Sequence, residues 1–139
     1  MPVYPSQQGR VFPPTAPRRV TAEAIDAFNA AVGAPAGPAA PTFPFTFAVQ
    51  AWQALFDAED LDIELHRLVH ADQRFSMERA LAPGDEVVAQ ATLTDVRPAP
   101  GADRLVVATE VRTTEGELVG VATSTLLCSH RATATQDGT

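Results

Sequence analysis

Apolar positions change period once along this chain. Between residues 21 and 57 they recur at three- and four-residue steps, and from about residue 73 to residue 129 they alternate. The first period is that of a helix with one buried face and the second that of a half-buried strand. Residues 1–20 follow neither. They are rich in proline, and Val11-Phe12-Pro13-Pro14-Thr15 reads as extended, because a residue before proline avoids the helical basin. Thr21 is a good N-cap, and Glu23 sits in the first turn near the positive helix end. Ala24, Ile25, Phe28, Ala31 and Val32 then mark an apolar face, and Gly33 stops the helix.

Residues 33–44 carry no charge and read as a Gly/Pro connector. Pro44 suits the first position of a second helix, which the spacing extends to Asp57. Phe45, Phe47, Ala48, Val49, Ala51, Trp52, Leu55 and Phe56 cover most of its circumference. Thr46, Gln50, Gln53 and Asp57 leave only a narrow polar stripe. A helix apolar nearly all round is a buried one, so something must wrap it. The alternating segments supply the wrapping. Gln73–Glu78, with Phe75 and Met77 on one side, Asp85–Arg97, Arg104–Thr114 and Glu117–Ser129 read as strands. Pro98–Asp103 and Thr114-Glu115-Gly116 read as hairpin turns. The result is an α+β chain with one long helix against an antiparallel sheet of about five strands. One domain is expected over residues 1–139, with a core from about 9 to 130 and a polar C-terminal tail.

Composition narrows the partners. Hydrophobic residues are 45% and charged residues 19%, a globular balance. All 10 basic residues are arginines, so no lysine is available for Schiff-base or general-base work. A net charge of −7 argues against a nucleic-acid partner, and an acidic carrier protein or CoA would need a local arginine patch. The single Cys128 excludes an internal disulfide and fits a reducing compartment. No charged segment leads into an apolar signal core, and no apolar run approaches a membrane span. A cytoplasmic protein with no membrane partner is therefore expected.

Four segments carry a family resemblance. They are Gly9-Arg10-Val-Phe-Pro-Pro-Thr15, Val20-Thr-Ala-Glu-Ala-Ile-Asp-Ala-Phe28, Pro41-Thr-Phe43 and His70-Ala-Asp-Gln73. In this order they resemble the MaoC-like family of hot-dog dehydratases, in particular its N-terminal, FAS1-like domain. The resemblance implies a hot-dog fold, a long central helix wrapped by an antiparallel sheet. It also implies addition or removal of water across a 2,3-enoyl thioester on an acyl carrier protein or CoA. Active members hold an Asp and a His in a G-D-x-N-P-x-H motif, which must converge on one face of the substrate. The matching stretch here, Ala31–Ala40, contains no Asp, His, Glu, Ser or Asn. Ala and Pro move no protons, so no catalytic residue is assigned to this chain. It is similar to the non-catalytic subunits of mycobacterial heterodimeric 3-hydroxyacyl-ACP dehydratases. The implied partner is a second MaoC-like subunit that carries the dyad, and no metal or redox cofactor is implied.

Substrate contact is expected from Thr42, Phe43, Thr46, Gln50, Gln53, His70, Asp72 and Gln73. For His70 the competing reading is a structural imidazole bonded to the backbone, and for Asp72 an ion pair with Arg74 or Arg79. As i,i+2 strand neighbours, His70 and Asp72 should share a face. His66 is read as exposed after a helix end, His130 as an inert tail residue, and Cys128 as a small core residue. Two other readings stay open. One is a homodimeric hydratase or thioesterase with relocated groups, drawn from Asp57, Glu59 or Asp72. The other is an acyl-binding scaffold without chemistry.

Overall fold

The computed structural model describes residues 5–61 and 63–130. The expected polar tail beyond His130 lies outside the described residues. A short β1 (Arg18–Arg19) precedes α1 (Ala22–Val32), α2 (Phe45–Ala51) and α3 (Gln53–Asp57). Four long strands follow: β2 (Leu68–Met77), β3 (Glu86–Arg97), β4 (Ala102–Thr113) and β5 (Leu118–Ser129). They form one five-stranded sheet in the order β1-β3-β4-β5-β2, antiparallel throughout.

α1 forms where its caps predict. Thr21 Oγ1 accepts from Ala24 N at 3.1 Å, and Gly33 closes the helix at φ 75°, a left-handed conformation that costs glycine little. Its buried side differs from the expected one. Ile25 and Asn29 are buried, whereas Ala24, Ala31 and Val32 are exposed.

The single long helix is corrected to two segments separated by Trp52. There Trp52 N bonds Val49 O at 3.2 Å and Leu55 N bonds Trp52 O at 2.9 Å, both three-residue steps. The backbone stays helical at Trp52 (φ −66°, ψ −20°), so the break is one tightened turn in a common rod. Pro44 lies one position earlier than expected, at the N-cap. The rod is not wrapped all round. Phe47, Ala48, Ala51, Trp52 and Leu55 are buried, but Val49, Gln50 and Gln53 face outward. The sheet covers one side only. Its inner face presents Ala89, Ala91, Gly120, Ala122 and Ser124, small residues that let the rod approach.

β2 starts at Leu68, five residues before the alternation becomes visible. A register shift between His70 and Asp72 inserts Ala71 as an extra residue and breaks the pattern. Past the bulge, Gln73, Phe75 and Met77 pair with Ser124, Ala122 and Gly120, all buried on the inner face.

The two sheet edges are treated differently. The N-terminal segment runs along β3: Gly9 N bonds Leu93 O at 2.7 Å, Leu93 N bonds Arg10 O at 2.9 Å, and Phe12 N and Thr15 N bond Ala91 O and Ala89 O at 2.9 Å each. Together with β1 it caps that edge. β2 closes the other end of the sheet, and among the described residues nothing pairs with its outer side. A bare edge of this length is a template for another strand.

Candidate functional site

The open edge carries a polar cluster on the inner side of the sheet. His70 stacks on Phe45 of α2, with ring centroids 5.4 Å apart and 16° between planes. It meets Trp52 edge-on at 5.5 Å. Its Nε2 lies 3.0 Å from Gln73 Oε1. Ser124 Oγ donates to that same oxygen at 2.5 Å, and the Gln73 amide nitrogen donates to Arg74 O at 3.2 Å. The Gln73 oxygen thus accepts from two sides. In the neutral imidazole the hydrogen then sits on Nε2, and Nδ1 remains an acceptor at the exposed edge. Trp52 Nε1 is buried beside this cluster with no hydrogen-bond partner among the described residues.

Further along the same strand face the lining turns apolar. Ala39, Ala40, Pro41, Pro44, Phe75, Met77, Ala80 and Leu81 enclose a trough of about 350 Å³. A second hollow of about 210 Å³ shares Ala39, Ala80 and Leu81 with it and reaches Ile25 and Asp26 of α1. The charge-free connector is the outer wall of both. It is held by Asn29, whose Nδ2 donates to Pro35 O at 3.3 Å and Pro38 O at 3.0 Å, while Oδ1 accepts from Ala40 N at 3.0 Å.

The opposite wall is pinned by Arg79. Its guanidinium bonds both Asp85 oxygens at 2.8 and 3.1 Å and both Glu117 oxygens at 3.0 and 3.2 Å. Glu117, then Asp85, raise the Arg79 pKa further above its ordinary value. Arg79 in turn holds both carboxyls below the usual carboxylate range.

The expected site residues do not converge on one place. His70 and Gln73 form the cluster above. Asp72 is on the outer face, because the bulge at Ala71 turns it away from His70, and its Oδ2 accepts from Arg74 Nε at 3.3 Å. The shared face expected for His70 and Asp72 is thereby corrected. Thr42 is exposed in the connector. Phe43 is 2% exposed and belongs to the core, edge-on to Phe28 and Phe47. Thr46 Oγ1 donates to Phe43 O at 2.9 Å. Gln50 and Gln53 line a separate groove of about 430 Å³ between the rod and the N-terminal segment, together with Arg10, Phe12 and Asp57. Gln53 also donates to Asp57 at 2.8 Å. Arg10, at 2.7 Å from Asp60, lowers that carboxyl's pKa.

His66 is exposed in a short 3₁₀ turn, and Cys128 is buried, as expected. His130 is not inert: its Nε2 lies 2.9 Å from Oδ1 of the buried Asp103. Sequence signals for the missed residues existed. Asn29 falls four residues after Ile25 on the buried stripe, and Asp103 has the inward parity of Leu105 and Val107.

A curved antiparallel sheet wrapped on one side of a helical rod defines a hot-dog protein, and solved structures agree. A chain of the C-terminally truncated HadBC complex, a (3R)-hydroxyacyl-ACP dehydratase of Mycobacterium tuberculosis, superposes with a TM-score of 0.76 at 25% identity, covering 86% of this chain and 96% of that one. A MaoC-like dehydratase superposes at 0.77 with 20% identity, over 94% of this chain and 44% of that one. The family model for the FAS1-like dehydratase domain region matches residues 22–122. A UPF0336 protein of Cutibacterium acnes is 44% identical over 125 residues, 85% of this chain and 88% of the relative. The chain belongs to the FAS1-like dehydratase domain family of MaoC-like hot-dog proteins. Among the described residues no helix is long and apolar enough to cross a membrane, and no group of His, Cys, Asp and Glu could hold a metal ion.

Proposed function

We propose that this chain is the substrate-binding half of an (R)-specific 3-hydroxyacyl-thioester dehydratase or enoyl hydratase. A second MaoC-like hot dog supplies the catalytic Asp and His. The observation that carries the reading is the open β2 edge. Its inner face runs from a polar pair, His70 and Gln73, to an apolar trough at Phe75 and Met77, the polarity order of an acyl thioester. The N-terminal segment covers the opposite edge, so β2 is where a partner strand adds to the sheet. Across that junction His70 Nδ1 is an acceptor for an amide N–H of the thioester arm, and the partner's dyad handles the α-proton and the β-hydroxyl. Residues 1–139 act as one domain in this assembly, and either an acyl carrier protein or CoA bears the substrate.

The described carboxylates support a partner. Asp72 is turned to the other face, Asp57 and Glu59 are exposed, and no described hydrogen bond joins any of them to His70. The test is hydration of crotonyl-CoA and of a longer trans-2-enoyl-CoA, followed by ultraviolet absorbance. It compares this chain alone, a subunit carrying G-D-x-N-P-x-H alone, and the two co-expressed. Turnover by the pair well above either subunit alone is expected. Full turnover by this chain alone would overturn the proposal.

A further inference from the structure

One of the side chains lining the trough is flexible and rests on a glycine. Met77 is the last inward residue of β2 and pairs with Gly120 of β5. Gly120 lacks a side chain, and Met77 occupies the space that one would fill. A Cβ built on Gly120 would collide with Met77 Sδ, come within 2.8 Å of Met77 Cε and 3.0 Å of Ser76 O. This glycine needs no unusual backbone, because the positive-φ glycines lie elsewhere, at turns. What Gly120 provides is a seat for the thioether. Met77 packs against the core on that side and lines the trough on the other. Methionine is unbranched and adapts to irregular gaps, so it can yield or advance without moving the backbone.

We propose that Met77, seated on Gly120, sets the length of acyl chain that the trough admits. The inference rests on the thioester reading above and names its specificity-determining residue. Strand rise separates Met77 from His70 by roughly 20 Å, so the head group lies near one end of the strand and the methyl end near the other. Beyond Phe75 the wall is Ala39, Ala40, Pro41 and Leu81, with no charge to interrupt a hydrocarbon. Each added methylene that fits raises affinity about fourfold, until the chain end meets Met77 and the gain stops. Met77→Ala removes the stop and moves the plateau about two methylenes longer. Gly120→Ala pushes the thioether off its seat into the trough and moves the plateau shorter. Opposite shifts from two residues in contact would not arise from a merely structural role.

The experiment is calorimetric titration of the purified chain and its variants with saturated acyl-CoAs from C4 to C18, with CoA as the zero-length reference. The expected wild-type result is a rise of about fourfold per methylene to a plateau, displaced outward in Met77→Ala and inward in Gly120→Ala. Met77→Phe, which adds bulk at the stop without touching β5, gives the inward shift should Gly120→Ala not fold. A wild type that discriminates by length and variants that share its plateau would overturn the role of Met77 and leave the thioester reading standing. The titration is run on the co-expressed pair as well as on the chain alone, and absence of length-dependent binding in both wild-type forms would overturn the role of Met77 and the thioester reading together.

Discussion

Asn29 is the sharpest place to perturb this structure. Its side chain is 1% exposed and makes three hydrogen bonds to the connector, to Pro35 O, Pro38 O and Ala40 N. Ala40 is itself buried, so its N–H has no recourse to water once Asn29 Oδ1 is gone. A hydrogen bond contributes about 0.5–1.5 kcal/mol net, and a buried donor left unpaired costs about 1–3 kcal/mol. The carbonyls of Pro35 and Pro38 belong to exposed residues and can turn to solvent. Asn29→Ala should therefore cost about 2–4 kcal/mol, dominated by Ala40 N–H. For a domain of this size that lowers the melting temperature by roughly 10 °C. Asn29→Asp keeps the acceptor for Ala40 but aims a carboxylate at two carbonyls, and it should cost at least as much. Urea unfolding of the purified chain reads both values. An Asn29→Ala free energy within about 0.5 kcal/mol of wild type would refute the reasoning that this residue builds the trough wall.

Three further outcomes follow from the same geometry. Arg79→Gln should cost about 2 kcal/mol near neutral pH, mainly through Asp85, since pairs with open carboxylates such as Glu117 contribute little. The folded-state pKa of Asp85 is depressed, so its contribution is present above the ordinary carboxylate range and fades as pH falls through the lowered value. The gap between wild type and variant in urea midpoint should accordingly narrow below about pH 4, and a gap that widened in acid would contradict the assignment. Thr109 Oγ1 is buried without a hydrogen-bond partner among the described residues, so Thr109→Val should be neutral or stabilising by up to about 1 kcal/mol in thermal melts, whereas a loss above that would mean the hydroxyl is satisfied. His70→Ala should cost only about 1 kcal/mol in thermal melts, since the residue is exposed and loses one ring stack and one hydrogen bond, yet lower hydration by the assembled pair about tenfold, the worth of one hydrogen bond. Unchanged turnover would remove His70 from the site.

Periodicity reads the fold well where packing repeats. Strands β3, β4 and β5 alternate along their length because each buries one face, and α1 announces itself through Thr21 and Gly33. It fails where one residue changes the phase. Ala71 hides the first half of β2 and reverses the sense of Asp72 relative to His70, and no propensity marks an alanine as a bulge. Composition alone also overstates burial of the rod. Val49, Gln50 and Gln53 face outward because a five-stranded sheet covers one side, which depends on the curvature of strands distant in sequence. The candidate site was legible in its residue types at His70 and Gln73. The trough was not, since its walls are alanines and prolines whose meaning comes only from being held apart by Asn29 and Arg79.

Amide hydrogen exchange, with and without a co-expressed subunit carrying G-D-x-N-P-x-H, tests the central claim most directly. The bare outer side of β2 is taken to be the docking edge, so assembly should slow exchange across residues 68–77 and leave the already covered β3 edge unchanged. New protection along residues 9–19, or none on β2, would contradict the account.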